Sequence, residues 1–411
     1  MSRHAYLIMA HNHFEQLRAL LRCLDDGRNV IYLHLDAKLG AVDVGQFKDQ
    51  LKHAELCVLS NRVDVRWGDF SQIECELRLL EASIPGHYDY YHLMSGADLP
   101  LQSQDVIHTY FERYQGTEFV HFDAKSVDPE TYERVSKYAF FSSREKNIFE
   151  KVMYRLTMLA QFWIDRGRLY GIQYQKGANW FSITDDCARY IVSRRKRVER
   201  VFHRTRCGDE FFIQTIIVNS GFEKKLYRPN FNDSYKTIRY CIDWKRGNPY
   251  VFRKEDYTML KASGMLFARK FDEDIDSEII KMIERAYRDN AAGNLSDELL
   301  DEMMQRFGKE RQALEEQRQK LLTDTSEDQS IRNAYTLFFD IAKRYSHIEK
   351  LDRDILHTFV ERIEIGEKIL PKGKKMASPR TSYRQSIRIF YRFIGEMNGE
   401  AIREVNKAVN L

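Results

Sequence analysis

The stretch AYLIMAHNHFEQLRALLRCLDDGRNVIYLHLD, residues 5 to 36, decides the fold class of this chain. A short apolar run is followed by a polar turn, a segment with helical spacing of its apolar residues, and a second apolar run. Apolar runs of this length predict buried strands, and the spacing between them predicts a helix. The stretch therefore predicts two parallel strands joined by a right-handed helical crossover.

The same alternation continues toward residue 96. ELCVLS (55–60) predicts a strand, DFSQIECELRLLEASI (69–84) a helix, and YDYYHLMSG (88–96) another strand. Ligands of parallel sheets bind beyond the carboxyl ends of the strands, so the polar residues that follow each strand are candidates for a binding site. These are His11 and Asn12, Asp36 and Lys38, residues 66–69, and residues 95–98.

Composition excludes several classes of protein. The 411 residues include 65 basic and 61 acidic side chains, so bulk charge gives no strong indication of a nucleic-acid or membrane partner. Six cysteines lie far apart without a CxxC pair, which favours reduced thiols over a disulfide framework or a zinc site. The N-terminal apolar stretch is too short for a signal peptide or a membrane span. We expect a cytoplasmic protein, either free or peripheral at the inner face of the membrane.

Three residues in the predicted α/β region allow both a functional and a structural interpretation. Asp36 ends a strand, where it could bind a ribose or base or simply form a turn. Asp98 follows Gly96 in HLMSGADLPL, as a carboxylate presented to a polyhydroxylated ligand or as part of a well-made loop. Trp180 in KGANWFSIT could stack on a sugar or belong to the core. The chain has neither GxGxxG nor GxxxxGK, which argues against a dinucleotide oxidoreductase and a P-loop ATPase.

Charged residues beside apolar segments form a second group of candidates. In RCGDEFFIQTI (206–216), Asp209 and Glu210 directly precede an apolar run, either as capping residues of a helix N-terminus or as a catalytic base. Arg239 and Lys270 could be paired with nearby carboxylates or could converge on a diphosphate, and local sequence slightly favours the pairing.

Seven ordered blocks over about residues 4–285 resemble the core-2/I-branching N-acetylglucosaminyltransferase and peptide O-xylosyltransferase family. They are HLDAK (34–38), VRWGDFSQIECELRLL (65–80), YHLMSGADLPL (91–101), KGANWFSIT (176–184), CGDEFFIQTI (207–216), RYCIDW (239–244) and SGMLFARKFD (263–272). The resemblance implies a GT-A-type nucleotide-sugar transferase with a mostly parallel sheet, which transfers with inversion and without a metal ion.

The resemblance also implies roles for individual residues. Glu210 would be the general base, and Asp209 would position the turn or a hydroxyl group. Fixed cations would replace a divalent metal at the diphosphate, and other residues would form the donor pocket. The assigned residues are Arg239 and Lys270 for the diphosphate, Asp36 for the uridine, Arg66 and Trp67 for the donor pocket, Asp98 near the donor sugar, and Trp180 as a pocket wall. The acidic motifs at 272–276 are expected to cap a helix rather than to bind a metal ion.

The function expected from the resemblance is transfer of a sugar from a UDP-sugar to a hydroxyl of a saccharide acceptor, without a cofactor. N-acetylglucosamine is the first candidate for the sugar, and xylose is the alternative. Animal Golgi members of the family carry a membrane anchor and disulfides, which are not seen in this sequence. The chain is therefore expected to resemble the soluble bacterial branch.

Beyond about residue 285 the composition becomes charged and helical in pattern. Leu300, Phe307, Leu314 and Leu321 repeat every seven residues, so 295–322 predicts a helix that pairs with another chain or packs on its own. Segments within 286–314, 351–368 and 386–397 resemble the C-terminal region of large serine recombinases, which implies a helical segment and a small α+β tail. The predicted domains are 1–285, 286–330 and 331–411. The rival function is a non-enzymatic DNA-binding or assembly protein built on this tail.

Overall fold

A computed structural model gives the structure of the chain. It describes residues 2–140, 148–227, 231 and 235–289, and, farther along, 316, 360–366, 387–391 and 395–396. Contacts between Cα atoms divide the chain into two compact units, Met1–Arg306 and Phe307–Leu411. Each unit is described by itself below.

The secondary structure alternates between strands and helices, as the sequence predicts. The strands are β1 (His4–Ala10), β2 (Asn29–Leu35), β3 (Glu55–Val58), β4 (Tyr90–Ser95), β5 (Asp98–Pro100), β6 (Phe119–Val120), β7 (Phe181–Thr184), β8 (Tyr240–Ile242), β9 (Phe267–Arg269), β10 (Val360–Ile365), β11 (Ile387–Tyr391) and β12 (Gly395–Glu396). The helices are α1 (Phe14–Cys23), α2 (Gly45–Lys48), α3 (Ser71–Ser83), α4 (Gln104–Arg113), α5 (Pro129–Ser136), α6 (Ile148–Ala160), α7 (Arg166–Tyr170), α8 (Asp185–Ser193), α9 (Arg195–Phe202), α10 (Asp209–Val218), α11 (Tyr257–Ala262) and α12 (Ser277–Asp289).

Six of the described strands form the main sheet in the order β3-β2-β1-β4-β7-β6. β1 to β4 run parallel, with Ile8 opposite Leu33 on one side and Met94 on the other, whereas β7 is antiparallel to both of its neighbours. Helices cover both faces of such a sheet, which explains why β1 and β2 are almost continuously apolar and buried. The prediction of an α/β fold with a mostly parallel sheet is confirmed.

A small second sheet connects distant parts of the chain beside the end of β4. β9 pairs antiparallel with β5 and parallel with β8, so that Asp98 lies opposite Arg269 and Arg269 lies opposite Ile242. This pairing brings the predicted blocks around residues 98, 240 and 269 together at one edge of the domain.

A buried group of imidazoles, called the histidine cluster below, connects strands β1 and β4 with helix α4. The rings of His4 and His108 stack with centroids 3.9 Å apart, and His4 Nδ1 is 3.1 Å from His92 Nε2. His92 Nδ1 lies 2.7 Å from Ser182 Oγ, and His108 Nε2 lies 2.9 Å from Asn29 Oδ1. Burial is the largest cause that lowers the pKa of all three histidines, to about 4 for His108. The cluster is therefore neutral in the folded protein at neutral pH.

The six cysteines are free thiols, in agreement with their spacing. Among the described residues, none of the helices has the length and apolar character needed to cross a bilayer.

In the second unit, β10 pairs antiparallel with β11, and β11 with β12. Apart from Glu316, the predicted pairing helix 295–322 lies outside the described residues. The domain boundaries at 285 and 330 stay predictions. In the first unit, α12 continues to Asp289, and Tyr287 near its end is buried.

Candidate functional site

Two adjoining cavities lie at the carboxyl ends of β1, β2 and β4. Their volumes are about 340 and 140 Å³, and they share the lining residues Met9, Ala10, His11 and Ser95. The larger cavity is also lined by His34, Asp36, Lys38, Val65, Trp67 and Gln72, and the smaller by Asn12, His13, Gly96, Ala97, Arg269, Lys270 and Asp272. The cavities together are called the cleft below. The cleft lies where the sequence predicts a ligand site, because the strands that carry these residues end side by side.

Asp36 lies in the wall of the larger cavity and also organises the backbone there. Its side chain is almost completely buried and accepts hydrogen bonds from the backbone N–H of Lys38 (2.8 Å) and of Val65 (3.3 Å). Nearby, His34 Nε2 accepts from the N–H of Val63, and burial lowers the pKa of this imidazole to about 4. The two side chains thus fix the loop that follows β3. Contact of Asp36 with uridine stays a prediction.

Trp67 and Arg66 differ in their relation to the cleft. Trp67 is 53% exposed and lines the larger cavity, where its ring offers a surface for stacking. Arg66 is mostly exposed, pairs with Asp64 at 2.8 Å, and is not among the residues that line the cavities. Trp67, but not Arg66, therefore lines the cleft, and the donor-pocket role of both residues stays a prediction.

Asp98 is completely buried and is not among the residues that line the cleft. It accepts hydrogen bonds from the N–H (2.8 Å) and Oγ (3.0 Å) of Ser95 and from Arg269 Nη1 (2.6 Å). Burial raises the pKa of Asp98 even though Arg269 opposes this shift. Asp98 contacts Ser95 and Arg269, which line the smaller cavity, and its position near a donor sugar stays a prediction.

Arg239 is buried as well, with 1% of its side chain exposed. Its Nη2 donates to the carbonyl of Gly264 at 2.9 Å, and its guanidinium lies 5.0 Å from the ring centroid of Tyr110. Arg239 is not among the residues that line the cleft, and its contact with a diphosphate stays a prediction. Lys270, the other predicted cation, lines the smaller cavity.

Trp180 is buried and supports a cation of the cleft. The Arg269 guanidinium lies 4.2 Å from the Trp180 ring centroid, within the range of a cation–π interaction. The Trp180 ring also stacks with Tyr240, with the ring centroids 6.4 Å apart. Trp180 is not among the cavity-lining residues, and the structure gives it the core position that was the alternative to a pocket wall.

At the start of α10 the two acidic side chains have different surroundings. Asp209 is buried and accepts a hydrogen bond from Asn179 Nδ2 at 2.6 Å, and burial, followed by the charge of Glu210, raises its pKa to about 6. The Glu210 side chain is 36% exposed and lies 3.6 Å from Lys176 Nζ and 3.7 Å from Arg134 Nη1. Asp209 is not the N-cap of the helix, since Gly208 occupies that position. Only Glu210 presents its carboxylate to solvent.

Lys176 is held between two carboxylates beside the start of α10. Burial of Lys176 disfavours its charge, but its hydrogen bond with Asp123 and the charges of Asp123 and Glu210 together raise its pKa. The adjacent Gly177 donates its N–H to the carbonyl of Glu210 at 2.9 Å. A Cβ at Gly177 would lie 1.8 Å from the carbonyl oxygen of His121, so only glycine permits this close approach.

The loop that carries Trp67 contacts the segment that leads into α10. The N–H of Cys207 donates to the carbonyl of Gly68 at 3.0 Å, and Gly68 has a φ of +72°. Trp67 and Glu210 are therefore each within a few residues of the same backbone contact. This contact links the loop that carries Trp67 to the segment that leads to Glu210.

One group of side chains in the described part of the chain could hold a metal ion. His13, Asp272 and Asp274 offer ligand atoms within 4.8 Å of one another, and His13 and Asp272 line the smaller cavity. The backbone hydrogen bonds agree with capping in this region, because Asp276 accepts the N–H groups of Glu278 and Ile279 at the start of α12. The positions of these acidic residues are therefore compatible both with metal binding and with helix capping.

Sequence reasoning did not identify Arg134, Lys176 or Arg269 as site residues. Lys176 and Arg269 lie within the blocks KGANWFSIT and SGMLFARKFD, so the blocks contained a signal for them. Arg134 lies on α5 outside every block, and nothing in the local sequence distinguishes it from an ordinary surface arginine.

Comparison with known proteins gives two family matches. Residues 4–263 match the family model described as Core-2/I-Branching enzyme, which spans more than half of the chain. Residues 325–398 match a model described as Domain of unknown function (DUF4368). The second match covers much of the segment for which the sequence predicts a recombinase-like tail.

Curated relatives include xylosyltransferase 1 of Mus musculus, 21% identical over 301 residues, and of Rattus norvegicus, 22% identical over 307 residues. Each match covers 69% of this chain but only 30% and 35% of the relatives, so the chain spans about a third of their length. Among solved structures, the apo form of mouse xyloside xylosyltransferase 1 matches 64% of this chain and 94% of its own chain, with 9% identity and a TM-score of 0.28.

Proposed function

The chain belongs to the core-2/I-branching enzyme family, and from this premise we propose that it is a glycosyltransferase. The proposed reaction moves a sugar from a UDP-sugar to a hydroxyl of a saccharide acceptor, with inversion at the anomeric carbon and a GT-A-type catalytic domain. The observation that carries the proposal is the difference between Asp209 and Glu210. The Asp209 carboxylate is buried and hydrogen-bonded to Asn179. The Glu210 carboxylate is open to solvent beside Lys176 and Arg134.

Glu210 is the proposed general base. It takes the proton of the acceptor hydroxyl while the acceptor oxygen attacks the anomeric carbon. The bond between that carbon and the diphosphate oxygen breaks, and its electron pair leaves with UDP. An alcohol is a poor nucleophile without assistance, and a positioned base typically accelerates such a step by about 10²–10⁴-fold. Asp209 positions the first turn of α10 through its hydrogen bond with Asn179.

The cleft is the proposed donor site. Trp67 and Asp36 in the larger cavity are suited to a nucleoside, which needs a stacking surface and hydrogen-bond acceptors. Lys270 and Arg269 line the smaller cavity and supply positive charge for the diphosphate, which stabilises negative charge on the leaving group. Arg239, which is buried and does not line the cleft, stays a proposed diphosphate contact, and Arg269 is proposed as an additional cation.

Two donors remain candidates. UDP-N-acetylglucosamine is the leading candidate because the family includes N-acetylglucosaminyltransferases. UDP-xylose is supported by the names of the curated relatives, which are xylosyltransferases. A bacterial setting, a cytoplasmic location and a glycan acceptor are parts of the same proposal.

Metal independence is also proposed, and the group His13, Asp272 and Asp274 gives it a specific rival. The decisive experiment measures UDP release by the purified full-length protein with a panel of UDP-sugars, with and without EDTA. We expect release from one donor that EDTA does not reduce. A metal-dependent mechanism would replace the metal-free one if EDTA abolishes the activity, Mn²⁺ or Mg²⁺ restores it, and His13→Ala abolishes it as well. Absence of UDP binding and of UDP release with every donor would contradict the transferase itself.

The rival function concerns the C-terminal region. If the tail resembles a recombinase but lacks its catalytic and zinc-binding parts, its role would be DNA binding or self-association through 295–322, and both stay proposals. Truncation after Arg306, between the two compact units, separates the alternatives without cutting α12. We expect the truncated protein to retain its transferase activity. Full loss of activity in a truncated protein that is still folded would show that the tail is needed for the reaction.

A further inference from the structure

Helix α6 and the turn after it carry an apolar stripe that faces solvent. The stripe, called the apolar face below, consists of Phe149, Val152, Leu156, Leu159, Phe162 and Trp163, each of which is half exposed or more. Apolar residues spaced three and four apart normally form the side of a helix that packs on the core. Here Phe162 and Trp163 are 84% and 72% exposed. A continuous exposed apolar surface of this kind marks a site of interaction.

The apolar face is attached to the domain through specific hydrogen bonds. The side chain of Gln161 is buried, accepts the N–H of Tyr138 at 2.7 Å, and donates to the carbonyl of Tyr138 at 3.0 Å. Lys137 Nζ donates to the carbonyl of Gln161 at 2.8 Å and also to that of Ile164. These hydrogen bonds fix the C-terminal end of the apolar face to the segment that follows α5.

Exposed cations lie on the helix of the apolar face and on the helices and turns that follow it in the chain, and one of them, Arg168, pairs with Asp165 at 3.6 Å. Arg155 on α6 and Arg168 on α7 are exposed, and so are Arg200 and Arg204 at the end of α9. The buried Arg166 connects these elements, because its Nη2 donates to the α9 carbonyl of Val201 at 2.6 Å. The combination of exposed phenylalanine, tryptophan and leucine with nearby arginine is typical of helices that lie in the interface of an anionic bilayer.

The same charges disfavour a second copy of the chain as the occupant of this surface. In a two-fold dimer the same patch packs against itself, so the arginines around the apolar face would approach their own copies. Like charges brought together across an interface are repulsive, whereas anionic headgroups would neutralise them.

We infer that the apolar face docks on the surface of a membrane that contains anionic lipid. Tyr138, to which the face is bonded, follows α5 by two residues, and Arg134 on α5 lies 3.7 Å from Glu210. The apolar face is thus attached to the segment that follows the helix whose Arg134 lies beside Glu210. The inference rests on the surface alone and does not require that the transferase reaction be correct.

The test is co-flotation of the full-length protein with vesicles of phosphatidylcholine, either pure or mixed with phosphatidylglycerol. We expect binding to the mixed vesicles that weakens with salt, and little binding to pure phosphatidylcholine. The variant Phe162→Ser/Trp163→Ser removes two exposed side chains and should lower the affinity at least about tenfold, since burial of each aromatic ring contributes on that order. Trp244→Ser is the matched control, because Trp244 is also an exposed tryptophan but lies in the loop after β8.

A second variant, Arg155→Glu/Arg168→Glu, should weaken binding to the anionic vesicles without a change in the apolar face. Sedimentation velocity of the protein without vesicles tests whether a second copy of the chain occupies the apolar face instead. The inference is overturned if the wild type binds neither kind of vesicle, if Phe162→Ser/Trp163→Ser binds as tightly as the wild type, or if the wild type forms a dimer that this variant abolishes while vesicles do not bind.

Discussion

The buried pair of Asp98 and Arg269 allows a quantitative prediction for Asp98→Ala. The substitution removes the acceptor of three hydrogen bonds, two from Ser95 and one from Arg269 at 2.6 Å. The guanidinium, of which 19% is exposed, is then left without its carboxylate. Removal of one partner from a buried ion pair costs about 3–5 kcal/mol, because an uncompensated charge stays behind. Domains are typically stable by only about 5–15 kcal/mol, so the loss should be large.

The measurement is denaturant unfolding of the variant followed by circular dichroism. We expect the free energy of unfolding to fall by about 4 kcal/mol, nearly a thousandfold in the folding equilibrium. Glu278→Ala is a control, because Glu278 forms an exposed pair with Lys254 at 3.1 Å and should shift the midpoint little.

A double-mutant cycle with Arg269→Met tests the cause. If the cost comes from an unpaired buried charge, the variant that lacks both side chains should be more stable than the sum of the single effects predicts. Additive effects, or a change in Asp98→Ala no larger than in Glu278→Ala, would refute the reasoning. Because Arg269 lines the smaller cavity, Asp98→Ala should also weaken UDP binding.

Two further predictions concern the Glu210 end of the site and the histidine cluster. Gly177→Ala should destabilise the protein by about 1–3 kcal/mol and lower its activity, because the new Cβ would collide with the carbonyl of His121. Gly221→Ala is the control, because Gly221 has open space around it, and it should change neither stability nor activity. Equal effects of the two substitutions would contradict this reasoning. The histidine cluster stays neutral when folded but takes up protons below about pH 6.5 when unfolded, so its contribution to stability is full above that pH and is lost as the pH falls. Chemical unfolding at pH 7.5 and 5.5 should show that the free energy of unfolding falls over this interval by about 1.4 kcal/mol less in His92→Phe than in the wild type, because one imidazole fewer takes up a proton on unfolding. Equal losses would exclude this role; buried carboxyls act in the opposite sense in both proteins.

The sheet could be predicted from the sequence because its signals are local. Each apolar run of the first 96 residues became a strand or helix close to its predicted position. The polar residues after the strands converge as expected, since parallel strands place their carboxyl ends at one edge.

The direction of individual charged side chains could not be predicted, because it depends on partners far away in the sequence. Asp98 is buried because Arg269, 171 residues farther along, pairs with it. Arg239 is buried with its guanidinium 5.0 Å from the ring centroid of Tyr110, and its contact with a diphosphate stays a prediction. The stripe on α6 has the spacing of a core helix, and only its position in the fold shows that it faces solvent.

Glu210 is the proposed base of a UDP-sugar transferase, and its substitution tests the proposed reaction most directly. The most direct measurement is the turnover of Glu210→Gln with the accepted donor, together with the Kd of that donor by calorimetry. Glu223→Gln, an exposed glutamate in the turn after α10, is the matched control. We predict that Glu210→Gln lowers kcat by about 10²–10⁴-fold while the donor Kd and the control are unchanged. Turnover equal to that of the wild type would contradict the assignment.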